Sequence, residues 1–235
     1  MKIVIITPLE KHHEYIISEI YKIYKNIIVI KDDKKIKSIF NTKYRNIKLQ
    51  KNYENKIWFK KKFIFPKEIK IIKINDANKN KNINKIYDLK PTLLITSGAN
   101  KLNKNFIYKF QKIKIVNLHG GDPDYYRGLD SLFWAIYHNE FYNLKVAIHF
   151  VDQKLDCGKI ITKKKIELFK GMKLYQLRRS NVELTKKILL SFLSKFLNNK
   201  KILTKKNKQG KYYSFMPSVL KDIVEKKFNN FTKKL

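Results

Sequence analysis

Several things are scarce in this chain of 235 residues. It has one cysteine, Cys157, which excludes a disulfide framework and a cysteine-based zinc site. No segment approaches the ~18 consecutive apolar residues of a membrane helix. The apolar run at the N-terminus, KIVIIT, is too short for a signal peptide, and the sequence is read as a soluble, cytoplasmic protein. No GxGxxG follows that run and no Walker A motif occurs anywhere, so the usual dinucleotide and nucleoside-triphosphate cradles are missing. Acidic residues are few: 19 Asp+Glu stand against 53 Lys+Arg, a formal net charge of +34. Arginine is scarcer still, being limited to Arg45, Arg127, Arg178 and Arg179.

The arginine shortage weighs against the first thought that +34 invites, a nucleic-acid binder. Phosphate and base readout favour the planar, bidentate guanidinium. Here the positive charge is lysine, spread along the whole chain (Lys60–Lys62, Lys163–Lys165, Lys205–Lys206) rather than gathered in a basic arm. Lysine also comes with abundant Ile and Asn, and all three have AT-rich codons. Genome composition can produce such an excess without selection for binding. Most of the lysines are therefore read as a solvated face, with nucleic acid not favoured. The length suits one large domain, and 43% hydrophobic with 13% aromatic content supplies a core.

Apolar β-branched runs at 2–7, 27–30, 69–74, 93–96 and 113–118 read as buried strands. Between them, 9–24, 82–89 and 103–110 read as helices. Residues 31–69 are lysine-rich, with aromatics at Trp58, Phe59, Phe63 and Phe65, and read as a helix plus loops. A helix over 129–139, a strand over 145–151 with a partner at 160–168, and a long amphipathic helix over 172–198 complete the pattern. The last 37 residues are polar and basic apart from YYSFMP. This alternation predicts an α/β fold with a mostly parallel sheet flanked by helices, 1–198 forming one domain and 199–235 a short basic extension.

The unusual polar residues gather after two strands: Asn117-Leu118-His119-Gly120-Gly121-Asp122-Pro123-Asp124-Tyr125-Tyr126-Arg127-Gly128, and Val151-Asp152-Gln153-Lys154-Leu155-Asp156-Cys157-Gly158. Asn117 and His119 are two apart and share a side in extended backbone. A carboxamide can hold a developing oxyanion, an imidazole can take a proton from an amine, and a carboxylate can fix its tautomer. These parts suit acyl transfer to an amine. The residues alone equally allow a hydrogen-bonded structural histidine and an ordinary Gly-Gly-Asp-Pro turn. Cys157 lacks a nucleophile-elbow context.

At these positions the chain resembles the folate-dependent formyltransferases, which include methionyl-tRNA formyltransferase, glycinamide ribonucleotide transformylase and the sugar N-formyltransferases. The resemblance is carried by Asn117-x-His119, then Tyr126-Arg127-Gly128, a helix with Phe133-Trp134-Ala135-Ile136, and Leu155-Asp156-Cys157-Gly158, in order over roughly 45 residues. It implies a Rossmann-like formyltransferase fold and 10-formyltetrahydrofolate as co-substrate. Asn117, His119 and Asp156 would be catalytic, with Asn117 and a protonated His119 stabilising the oxyanion and Asp156 holding His119. The folate pocket would be built from Ile95, Thr96, Ser97, Gly98, Ala99, Val151, Asp152 and Leu155. The acceptor would meet Gly120, Gly121, Asp122, Tyr126 and Arg127. No metal is implied.

The loop departs from the family's His-x-Ser-Leu-Leu-Pro by carrying Asp122, an early Pro123 and Asp124. Asp122 or Asp124 would contact a cationic amine or cap a turn. The segment after the first strand, Thr7–His13, has no glycine and argues against glycinamide ribonucleotide. His12 and His13 there read as surface or helix-start residues, or as contacts to another ligand. The 37 residues after 198 are too few for a tRNA-binding barrel. The expected acceptor is therefore a phosphorylated small-molecule amine, the amino group of a nucleotide-linked sugar, with a possible homodimer through the extension. The alternatives are a methionyl-tRNA formyltransferase-like enzyme without the barrel, or a lysine-rich nucleic-acid-binding protein with a vestigial site.

Overall fold

The computed structural model describes residues 1–58 and 65–235. Phe59 and Phe63 lie outside the described residues. The apolar runs form β1 (Ile3–Thr7), β2 (Ile27–Asp32), β3 (Lys70–Ile74), β4 (Leu93–Ser97) and β5 (Lys114–His119). They alternate with α1 (Lys11–Ile23), α2 (Ile47–Trp58), α3 (Asn80–Tyr87) and α4 (Lys104–Lys109). Next come β6 (Tyr126–Gly128), α5 (Ser131–Tyr137), β7 (Lys145–Phe150), β8 (Ile160–Lys165), α6 (Leu174–Leu197), β9 (Lys211–Tyr213) and α7 (Ser218–Lys233).

Among the described residues, seven strands join in the order β3-β2-β1-β4-β5-β7-β8. The first five are mutually parallel, and β7 and β8 run antiparallel at one edge. The mostly parallel, helix-flanked architecture expected from the alternation is thus present. β1 is buried along its whole length, and its side chains alternate between two cores. Ile3 and Ile5 belong to the core that α1, α5, α6 and α7 also enter; Val4 and Ile6 belong to the core that α3 and α4 enter. This period-two alternation is why an all-apolar run, rather than an amphipathic one, makes a central strand covered on both faces.

The chain leaves β1 toward β2 and β3 on one side, then returns to β4 on the other. The crevice at the carboxyl ends of β1 and β4 is a topological switch point, the place where open α/β sheets bind ligands.

The C-terminal segment holds more structure than its composition suggests. β9 pairs in parallel with β6 in a separate two-stranded sheet, and α7 spans 16 residues. Met216, Val224 and Phe228 are fully buried in the same core as α5 and α6.

Candidate functional site

One continuous cavity of about 1140 Å³ opens at the switch point. Its walls come from the end of β4 (Thr96–Ala99), the end of β5 (Asn117–Gly120), the loop 151–156, the start of α1 and one face of α6. Most sequence-predicted residues meet here: Asn117, His119, Asp156, Thr96, Ser97, Gly98, Ala99, Val151, Asp152, Leu155, Gly120 and Arg127 all line it. Gly98 has φ +63°, which bares backbone toward the cavity, and the side chain of His13 lies close beneath it.

Four predicted residues lie outside the lining, and the reasons are physical. Ile95 is fully buried inside β4, where its side chain belongs to the core. Asp122 is also fully buried, but its carboxylate accepts from Lys145 Nζ (2.7 Å) and Lys163 Nζ (2.8 and 2.9 Å). Lys163 also donates to Asp124 at 2.6 Å. Both acidic residues of the unusual loop are thus engaged by lysines of the sheet edge, and a cationic amine would meet no free carboxylate there. Tyr126 turns its ring into the core, stacks on Tyr213 and donates its hydroxyl to Glu140 at 2.8 Å. Gly121 follows His119 outside the cavity lining, and a Cβ there would press on the His119 ring and on Ser131.

The centre of the site is a compact polar cluster. Asn117 Nδ2 donates to Asp156 Oδ1 at 3.2 Å, while its Oδ1 accepts from Thr96 Oγ1 at 2.8 Å. His119 Nε2 lies 3.1 Å from the backbone carbonyl of Tyr126. A carbonyl can only accept, so this contact makes Nε2 the protonated nitrogen and leaves Nδ1 as the basic one. Nδ1 is 3.7 Å from Asp156 Oδ2. Asp156 Oδ2 accepts the Gly128 N–H at 2.8 Å.

A second histidine, His149, was missing from the sequence reading. Register pairs it with Asn117 across the antiparallel β5–β7 ladder. Its Nε2 sits 3.2 Å from Asn117 Nδ2 and 3.4 Å from Asp156 Oδ1, and its Nδ1 bonds the Phe150 carbonyl at 2.8 Å. The available signal was a polar side chain directly after the apolar run Val146–Ile148, within the same strand.

The electrostatics follow from burial and proximity. Burial, partly offset by Asp156, holds His119 below the ordinary imidazole value, so it rests neutral at neutral pH. Burial opposes ionisation of Asp156, but His119, His149 and the Gly128 N–H outweigh it and keep the carboxyl well below the usual range. His12 and His13 line the same cavity with their rings 4.0 Å apart. Burial is the main cause lowering both, and His13 falls to about 3. His13 also accepts the Glu10 N–H at 3.1 Å, the helix-start role expected of it.

The motif glycines are dictated by backbone crowding. A Cβ on Gly128 (φ +94°) would lie 2.2 Å from the Tyr213 carbonyl, and one on Gly158 would lie 1.9 Å from the Phe150 carbonyl. Arg127 donates through Nη1 to the Leu155 carbonyl (3.1 Å) and the Cys157 sulfur (2.9 Å), and through Nε to the Gly210 carbonyl. Its guanidinium therefore pins the loop that carries Asp156.

Among the described residues no group of three or more His, Cys, Asp or Glu could hold a metal ion, and no helix is long and apolar enough to cross a membrane.

A helix-flanked, Rossmann-like sheet with a polar cluster at its switch point describes a ligand-binding α/β protein, and comparison with known families makes this specific. The formyl transferase family model matches residues 1–193, so the chain belongs to the formyl transferase family. It is 26% identical over 127 residues to methionyl-tRNA formyltransferase of Kosmotoga olearia, an alignment covering 54% of this chain and 40% of that protein. The chain thus matches about half or less of the length of such curated relatives. Its fold is similar to a sugar N-formyltransferase from Shewanella (TM-score 0.61, 14% identity, 91% of this chain and 76% of that one). It is also similar to HypX from Aquifex aeolicus in complex with tetrahydrofolic acid (TM-score 0.57, 15% identity, 96% of this chain and 34% of that one).

Proposed function

We propose that the protein transfers a formyl group from 10-formyltetrahydrofolate to a primary amine, the amino group of a nucleotide-linked sugar. The observation that carries this reading is the convergence of Asn117, His119 and Asp156 on one cavity with room for two molecules. The backbone of Ser97–Ala99 and of loop 151–155 along one wall fits a planar, hydrogen-bonding ring such as that of a folate. HypX in its complex with tetrahydrofolic acid supports a folate co-substrate, and the Shewanella enzyme supports a sugar acceptor.

When bound, the folate supplies the formyl carbon. Asn117 Nδ2, which donates to Asp156 Oδ1 at rest, is the N–H donor that would turn to the oxygen gaining negative charge. Neutral His119 takes the proton released by the attacking amine on Nδ1, the nitrogen left basic by the Tyr126 carbonyl. The imidazolium so formed faces Asp156, whose carboxylate is already ionised and stabilises it; it would return the proton to the folate nitrogen as the bond from that nitrogen to the formyl carbon breaks and tetrahydrofolate leaves. His119 is thus the base at rest and the cationic partner only after proton transfer, which refines the protonated role implied by the resemblance.

On the remaining wall, Tyr44 and Phe133 offer aromatic faces and Arg178 a guanidinium held by Glu54 at 2.5 and 2.7 Å. Tyr212 of β9 reaches the same cavity, so in this reading the domain 1–198 and the extension 199–235 share the acceptor side. The experiment is a screen of amino-sugar nucleotides, glycinamide ribonucleotide and methionyl-tRNA for tetrahydrofolate release from 10-formyltetrahydrofolate. Turnover with an amino-sugar nucleotide supports the proposal. Turnover with methionyl-tRNA alone favours the second reading, to which the curated relatives point.

A further inference from the structure

We infer that Asn207, in the C-terminal segment, is a positioning residue that sets the geometry of Asp156; the inference rests on the reading of Asp156 as catalytic. Asp156 adopts φ +52°, the left-handed region. That region is disfavoured for a residue with a Cβ, less so for Asp than for most, and the surroundings hold it here.

The enforcement comes from both sides of the turn. Arg127 holds the carbonyl before Asp156 and the sulfur after it. Asn207 holds the rest: its Nδ2 donates to the Asp156 carbonyl at 2.8 Å and to the Gly158 carbonyl at 3.2 Å. One carboxamide nitrogen, with two protons, thus spans two carbonyls on either side of Cys157. Its Oδ1 accepts the Gln209 N–H at 2.8 Å, which closes a local turn and aims the amide. Asn207 is 4% exposed, so these bonds are sheltered from water.

Asn207 is itself anchored. Lys205 and Ile160 exchange backbone hydrogen bonds at 2.8 and 2.9 Å, and Lys208 N–H donates to Asp124 at 2.8 Å. Gly210 N–H and Lys211 N–H bond the Pro123 and Tyr125 carbonyls, which starts the β6–β9 pairing. The segment that first reads as a polar tail therefore straps the loop that follows His119 to the loop bearing Asp156. Rotation of the Asp156 backbone would swing Oδ2 away from the Gly128 N–H and from His119 Nδ1.

The test compares Asn207→Ala and Asn207→Ser, alone and combined with Asp156→Asn, in the full chain. The readout is tetrahydrofolate release from 10-formyltetrahydrofolate with a dTDP-linked amino sugar as acceptor. Asn207→Ala is expected to lower kcat by ~10–100-fold, the scale of an ångström-level misplacement, with the KM for either substrate nearly unchanged. The Ser variant, keeping one donor, is expected to lose less. The acid limb of the pH–rate profile is expected to move to lower pH, because a displaced Asp156 no longer supports a charge on His119. In the Asp156→Asn background, Asn207→Ala is expected to lower kcat no further. A wild-type kcat and acid limb in both Asn207 variants would overturn the inference, as would an equal further loss in the double variant. If Asp156→Asn alone keeps full activity, it is the catalytic reading that fails.

Discussion

Two buried carboxylates sit in the loops that follow β5 and β7, and they differ in what neutralises them. Asp122, 0% exposed, is met by the ammonium groups of Lys145 and Lys163. Asp156, 6% exposed, is met by the imidazoles of His119 and His149, by the Asn117 amide and by a backbone N–H. Both are held below the ordinary carboxylate range against the cost of burial. A lysine raised by its acidic partners, as Lys163 is, stays charged at any working pH, so the first cluster is an electrostatic rivet. An imidazole held down by burial can gain and lose a proton, so the second cluster can move one. A buried aspartate is therefore informative about function only once its partner is known.

The largest expected effect separates the two clusters by activity. His119→Ala and Asp156→Asn should each lower kcat/KM by ~10²–10⁴-fold, the range of a lost general acid–base group. Both should leave the circular dichroism spectrum close to wild type.

Asp122→Asn should do the reverse. It leaves two lysines without their counter-charge, and because those lysine tips reach solvent the loss should be ~1–3 kcal/mol of stability. Urea unfolding would register it, while kcat of the folded fraction should stay within a few-fold of wild type. A greater loss of turnover than of stability would merge the two clusters into one.

A pH-dependent effect should appear on acidification. The folded values of His12, His13 and His119 lie below the unfolded value near 6.5, so unfolding takes up protons. Their contribution is complete above about pH 6.5 and falls as pH drops below it, by up to ~1.4 kcal/mol per pH unit for each imidazole. Urea midpoints between pH 7 and pH 5 measure this. The Asp122 cluster titrates outside that window, so Asp122→Asn should shift the curve without changing its slope. A pH-independent midpoint would mean that the imidazoles are not buried neutral.

Much of the sheet was legible because β1 is a continuous β-branched run, β4 a nearly all-apolar one and β5 an apolar stretch around Ile115–Val116, and strands buried on both faces have such signatures. The ordered motif from Asn117 to Gly158 brought most of the candidate site with it. What stayed hidden depended on long-range partners. His149 matters because antiparallel register sets it opposite Asn117. Asp122 looked available because Lys163 lies 41 positions away in the chain. α7 was missed because its buried Val224 and Phe228 are diluted by lysines, and Asn207 because a lone Asn among lysines carries no local pattern.

The central claim is that the imidazole-flanked aspartate cluster, and not the lysine-flanked one, performs formyl transfer. It is tested most directly by tetrahydrofolate release under saturating 10-formyltetrahydrofolate and an amino-sugar nucleotide, measured side by side for wild type, His119→Ala and Asp122→Asn. The account predicts near-background release for His119→Ala and near-wild-type release per folded molecule for Asp122→Asn. Wild-type turnover by His119→Ala would contradict it.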